Sequence, residues 1–307
     1  MPTNKGAIRI FRLFGIDVFL HWSWFLIVIF DIQTRAQYYD SYIWNALETL
    51  SLFGIVLMHE FGHALACRSV GGKANQIVLW PLGGVAYVAP PQRPGATLWS
   101  IVAGPLVNVM LVPILSALVL LARHAGWDET YKNLDHYIVA IWWINRIILI
   151  FNLLPIYPLD GGQIFRSLLW FVVGRANSLM VASALGFVGV AGMGLVAYLT
   201  GEPWFWILAA FAGLNCWTGF RQSQGLLRLE KAPRRQEFHC PVCRESPPIG
   251  EFWRCGRCGK AFDTFLTQAF CPNCNAEYPA TACPYCFNSK PMAEWRGFQA
   301  PMNPPPG

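Results

Sequence analysis

Charge is what this chain has least of. Of its 307 residues only 13% are Asp, Glu, Lys or Arg, against roughly 25% in a soluble domain. Hydrophobic types make up 54% and the mean hydropathy is +0.36, so an ordinary water-soluble globular protein is excluded and a membrane protein is expected. Carboxylates are especially sparse: between Asp135 and Glu202 only Asp160 carries one. Cysteine is nearly missing from the first 220 residues, where Cys67 and Cys216 read as packing residues. The net charge of +6 fits a positive-inside bias and does not call for a nucleic-acid partner.

The apolar content stops near Gly219. The pattern predicts an embedded domain over 1–220, a charged linker over 221–238, a cysteine-rich module over 239–290 and a disordered tail over 291–307. Six spans are expected: 20–33, 46–68, 97–122, 136–153, 178–199 and 204–220. The fourth breaks at LLPIYPLDGG and resumes as IFRSLLWFVVG. IRIFRLFGIDVFLHW has poor helical periodicity and predicts a β-hairpin on the membrane surface. GGKANQIVLWPLGGVAYVAPPQRPG is bounded by Gly and Pro, and reads as a β-hairpin or re-entrant loop against a cavity. The expected fold class is therefore an α-helical polytopic membrane protein with short membrane-associated hairpins and a small C-terminal module. Lys5, Arg9, Arg12, Arg68, Lys73, Arg93, Arg166, Arg175 and the Arg221–Arg235 cluster fall on one side, with Arg35, Arg123 and Lys132 on the other. That asymmetry puts both termini in the cytoplasm, and the compact chain fits a bacterial inner membrane.

Within the second span lies HEFGH. His59 and His63, four apart on a helix, share one face and can share a metal. Glu60 stands beside them, where a general base belongs. A catalytic zinc commonly has three protein ligands and a water; the best third candidate is Asp160, in a Pro- and Gly-broken stretch. The competing reading makes Asp160 a cap for the next helix. Asn108 and Asn152 are candidate amide donors to an oxyanion, or alternatively glue between helices. His21, beside Trp22 and Trp24, reads either as a gating or substrate-contacting residue or as an interfacial one.

HEFGH, PLGGVA, AGPLVN and NLLPIYPLDGG occur in that order, and the pattern over residues 1–220 resembles the site-2 protease family of intramembrane zinc metalloproteases. GIDVFLHWSW is similar to that family's opening segment. The resemblance implies zinc held by His59, His63 and Asp160, Glu60 as base, and single-pass transmembrane substrates cut in or near the lipid bilayer. It also implies that the PLGGVA strand holds an unwound substrate by main-chain pairing. A non-enzymatic alternative is a membrane scaffold or metal-handling protein; the intact glutamate argues against it, since a carrier needs ligands but no base.

Eight of the ten cysteines form four pairs: Cys240/Cys243, Cys255/Cys258, Cys271/Cys274 and Cys283/Cys286. Each is a two-residue-gap knuckle, and two knuckles make one tetrahedral thiolate site, so a double zinc ribbon is expected. Sequential pairing is the simpler choice, with a first-to-third cross-brace as the alternative. Reduced thiols suit the cytoplasm. The ribbons would recruit a protein partner, the cytoplasmic part of a substrate or another copy of the chain. From Arg234 onward eight Lys/Arg face six Asp/Glu, too even a balance for phosphate binding. Metal counting on the purified chain is expected to give three zinc ions, one catalytic and two structural. Replacing all eight knuckle cysteines should leave one.

Overall fold

The computed structural model describes residues 6–35, 38–80 and 83–295. The chain divides into two units, Met1–Phe220 and Arg221–Gly307. The first opens with an antiparallel hairpin, β1 (Ala7–Leu13) and β2 (Ile16–His21). Helices α1 (Trp24–Arg35) and α2 (Tyr42–Ser69) follow, then a second hairpin, β3 (Lys73–Trp80) and β4 (Gly83–Ala89). The two hairpins join in one four-stranded sheet of order β1-β2-β3-β4, with β2 and β3 parallel. Alternation sets its inner face: Ile16, Val18, Ile77 and Leu79 are fully buried in one cluster with Phe61, Ala64 and Cys67 of α2. Strand pairing of Val18–Leu20 with Ile77–Leu79 overrides the apolar run, so the first helix begins at Trp24 rather than near residue 20. His21 is buried and stacked on Trp80 at 4.1 Å, which replaces the expectation of an imidazole tip in water.

The remaining helices of this unit are α3 (Pro94–His124), the single turn α4 (Trp127–Thr130), α5 (Lys132–Leu153), α6 (Asp160–Thr200) and α7 (Pro203–Lys231). Among the described residues four helices, α2, α3, α5 and α6, are long and apolar enough to cross a membrane. The protein is therefore a multi-pass membrane protein. Two of the six expected spans fall short of that standard. At 12 residues α1 rises about 18 Å, well under the roughly 30 Å of a hydrocarbon core; in α7, Trp204, Trp206, Asn215 and Trp217 dilute the hydropathy. By contrast α6, with 41 residues, is two helical stretches that meet at Gly174, whose φ of +80 breaks the helix where the resumed fourth span and the fifth were expected to part. Arg146 of α5 lies over the Trp142 ring, 3.6 Å from its centroid, and donates to Ser116 Oγ of α3.

In the second unit α7 runs on to Lys231, through much of the expected linker. The rest is built from four equivalent knuckles with two short hairpins, β5 (Trp253–Arg254) with β6 (Ala261–Phe262) and β7 (Thr281–Ala282) with β8 (Ser289–Lys290). In each knuckle the residue after the second cysteine has positive φ and its amide returns to the first cysteine's carbonyl. These residues are Arg244, Gly259, Asn275 and Phe287.

The sulfur atoms correct the pairing. The first knuckle meets the fourth, Cys240 with Cys286 and Cys243 with Cys283 at 3.7 Å each. The second meets the third, Cys255 with Cys274 at 3.5 Å and Cys258 with Cys271 at 3.6 Å. Neither the sequential nor the cross-brace arrangement is adopted, because the module's own core closes its two ends. Trp295 is fully buried against Phe238, Phe265, Cys240 and Cys283, and its carbonyl accepts from the His239 amide at 3.0 Å. Trp295 sits on the turn α8 (Met292–Trp295), so the expected disordered tail does not begin at 291. Its remainder, FQAPMNPPPG included, lies outside the described residues. Trp295→Ala should destabilise the module by about 3–5 kcal/mol. In chelator titrations it should release metal from the first-with-fourth cluster ahead of the inner one.

Candidate metal centre and active site

Helix α2 carries His59, Glu60 and His63 fully inside the protein, with His59 roughly 15 Å along the axis from the Ser69 end. The two imidazoles and Asp160, the first residue of α6, converge on one point. His59 Nε2 and His63 Nε2 are 3.0 Å apart. Asp160 Oδ2 lies 3.0 Å from the first and 3.3 Å from the second. Leu159 is the N-cap of that helix and offers no side-chain cap bond; the Asp160 carboxylate turns to the imidazoles.

Hydrogen bonding fixes which nitrogens face inward. His63 Nδ1 is 2.9 Å from the Ser100 carbonyl, which can only accept, so Nδ1 carries the proton. For His59 the direction is set from the far end of a relay. Asn145 Nδ2 donates to the Asn108 backbone carbonyl at 3.0 Å, and Asn108 Nδ2 donates to Asn145 Oδ1 at 2.8 Å. Asn108 Oδ1 therefore faces His59 Nδ1 at 2.6 Å and accepts its proton. In the neutral imidazoles both Nε2 atoms are lone pairs opposite a carboxylate oxygen, and three such donors repel one another unless a proton or a metal cation lies between them. A tetrahedral zinc with bonds of about 2.0–2.1 Å sets ligand edges of about 3.3–3.4 Å, close to the spacing found. The residues present fit that ion, with both imidazoles oriented by acceptors behind them.

Close approach requires missing side chains. A Cβ on Gly104 would strike the His63 ring, and one on Gly62 would come within 2.6 Å of the Ala103 carbonyl oxygen. The AGP stretch of α3 thus lies directly on α2. Across the site, a Cβ on Gly84 would strike Glu60 Cγ, and the Ala86 amide donates to Glu60 Oε2 at 2.8 Å. The outer strand β4 therefore lies on the glutamate. The glycines after Asp160 follow the same logic: residues 154–159 double back over the start of α6. A Cβ on Gly161 would meet the Leu153 and Leu154 carbonyls, and one on Gly162 the Ile156–Tyr157 backbone. Gln163 Nε2 closes the fold on the Pro158 carbonyl at 2.9 Å.

The structure thus brings together His59, Glu60, His63 and Asp160. Asn108 is fully buried behind His59, with Nδ2 donating to Asn145 and Oδ1 facing His59 Nδ1, an arrangement that favours the reading of an amide bonding between helices. Asn152 is half-buried on α5, eight residues before Asp160, and makes no side-chain hydrogen bond among the described residues. Sequence reasoning missed Asn145 and Ser100. An Asn inside the apolar run WWINRI was a visible signal; Ser100 acts through its backbone carbonyl and left none.

The cysteine clusters are two further candidate metal sites. Within each, the four sulfurs lie within 4.8 Å of one another. Zinc–sulfur bonds of about 2.3 Å give S···S edges of about 3.8 Å, near the distances found. In the inner cluster Tyr278 donates its hydroxyl to Cys255 Sγ at 2.9 Å and brings that thiol down to about 5, ready as a thiolate ligand at neutral pH.

A bundle of apolar helices enclosing an HExxH pentad and a distant aspartate defines a polytopic membrane protein with a candidate metal centre at its core. Residues 48–126 and 122–196 match Peptidase family M50, and the membrane unit belongs to that family, the site-2 proteases. The chain is 30% identical over 228 residues to the zinc metalloprotease MJ0392 of Methanocaldococcus jannaschii, covering 73% of this chain and 62% of that protein. It is 27% identical over 242 residues to the putative zinc metalloprotease sll0528 of Synechocystis, covering 72% and 61%. With stage IV sporulation protein FB of Bacillus subtilis it shares 29% identity over 181 residues, covering 56% and 58%. The chain thus spans about 60% of the length of the curated relatives it matches. The solved structure of the site-2 protease from Methanocaldococcus jannaschii aligns with a TM-score of 0.50 at 25% identity, covering 70% of this chain and 95% of that one. Removing the relay's far end tests the orientation argument: Asn145→Ala should weaken metal binding at the membrane site about 10–100-fold, read by chelator competition.

Proposed function

We propose that the membrane unit is a zinc endopeptidase that cuts transmembrane segments of single-pass membrane proteins. The observation that carries this is the placement of Glu60: a carboxylate on the same helix as the two imidazoles, beside the metal point but outside the donor triad. Bound zinc would bring the pKa of a water ligand toward neutrality and polarise the scissile carbonyl. His59, His63 and Asp160 would hold the ion, while Asn108 and the Ser100 carbonyl keep both Nε2 atoms turned to it. Glu60 Oε2 is engaged by the Ala86 amide, and Oε1 is free of hydrogen bonds among the described residues. Oε1 is therefore the atom to take a proton from the attacking water and pass it to the departing amine nitrogen. Asn152 remains the proposed amide donor to the oxyanion.

A helical substrate hides its peptide bonds, so it must be extended before attack. As the outer strand of the sheet and the neighbour of Glu60, β4 supports the reading in which an unwound segment pairs there. The charge asymmetry supports cytoplasmic termini, and with them cytoplasmic zinc ribbons that engage a protein partner or the cytoplasmic part of a substrate. The full chain in detergent, given a panel of single-pass substrates, tests the proposal. Glu60→Gln should lower cleavage about 10²–10⁴-fold while metal content stays unchanged. Equal processing by variant and wild type would remove the enzymatic reading.

A further inference from the structure

Asp160 reaches the imidazoles from irregular backbone. Residues 154–159 contain Pro155 and Pro158, and their internal bonds are few: the Ile156 amide to the Leu154 carbonyl at 2.7 Å and the Leu159 amide to the Ile156 carbonyl at 2.8 Å. Irregular backbone at membrane depth is stable only where protein satisfies and packs it. Behind this segment stand α6 and α7, and they meet it with small residues. The Cys216 thiol of α7 donates to the Tyr157 carbonyl at 3.0 Å. A Cβ on Gly186 would lie 2.5 Å from Cys216 Sγ and 3.1 Å from the Tyr157 carbonyl oxygen. On Gly189 it would lie 2.5–2.8 Å from the three outer carbons of Ile156, and on Gly219 3.0 Å from the Tyr157 ring.

We infer that Cys216, Gly186, Gly189 and Gly219 form a socket that positions Asp160: it seats Ile156 and Tyr157, and so sets the reach of the third metal donor. Cys216 is in this account a positioning residue, neither ligand nor filler. The Tyr157 carbonyl is three residues from Asp160, and Leu159 and Gly161 leave little slack between them. The inference rests on the metal site proposed above, and it holds or fails separately from proteolysis.

Chelator competition on the full chain reads it, with the two ribbon metals as an internal reference for an intact protein. Cys216→Ala removes the donor together with the sulfur's volume; Cys216→Ser restores a donor at nearly the original size. The expected result is about three- to tenfold weaker retention of the membrane-site metal in the alanine variant, with the serine variant close to wild type. Gly189→Ala should weaken retention by about tenfold or more. Adding Ile156→Ala, which vacates the space the new methyl needs, should recover most of the loss. Equal behaviour of the alanine and serine variants would reduce Cys216 to packing and overturn the proposal, as would a Gly189→Ala chain with unaltered retention. Should Gly189→Ala fail to fold, the Cys216 pair decides. A wild-type count of two metals would overturn both the socket and the metal site. Three metals with the expected losses but no cleavage of any substrate would leave the socket standing and remove the protease.

Discussion

Three donors that repel one another, held about 3 Å apart inside an apolar bundle, are the constraint on which the membrane unit turns. Lone pairs and a carboxylate are expensive at membrane depth, and here every one is directed. Ser100 and the Asn108–Asn145 relay turn the imidazoles from behind. The bend at 154–162 brings in the aspartate. The backbone crowds the site from three sides, at Gly104, Gly84 and Gly161–Gly162, where no side chain would fit. Gly62, Gly84, Gly104, Gly161 and Gly162 thus share one physical cause: neighbouring backbone or metal-site side chains occupy the space a Cβ would need.

The ribbon module solves the same problem in water. In both units a rigid local motif supplies two donors, and a distant piece of chain supplies the rest. The i, i+4 histidines and the two-residue-gap cysteines are the local halves. Asp160 and the partner knuckles are the distant ones. A bound metal would do for these sites what a hydrophobic contact does elsewhere: close a long loop.

That division decides what could be read from the sequence. HEFGH was legible because helix periodicity alone places both imidazoles on one face. Asp160 was legible because it is the lone carboxylate in a long apolar stretch. The first hairpin was legible from its poor helical periodicity and the second, as one of two readings, from its Gly and Pro boundaries, but their union through parallel β2 and β3 was not, since such pairing leaves no local signature. For Asn108 the sequence left both uses of an intramembrane amide open, oxyanion donor and glue between helices; the position of Asn145 favours the second. The knuckle cysteines were evident, yet their nested pairing depends on Trp295 closing the module, a residue assigned beforehand to a disordered tail. Cys216 had been set down as packing, and the Tyr157 carbonyl that gives it a task lies 59 positions away.

The central claim is a metal ion held within the membrane unit by His59, His63 and Asp160. Anomalous diffraction at the zinc absorption edge, from crystals of the full chain, tests it most directly. The account predicts three peaks: one at each cysteine cluster and one bonded to His59 Nε2, His63 Nε2 and an Asp160 carboxylate oxygen. Peaks at the cysteine clusters alone, with Asp160 turned away from the imidazoles, would contradict it.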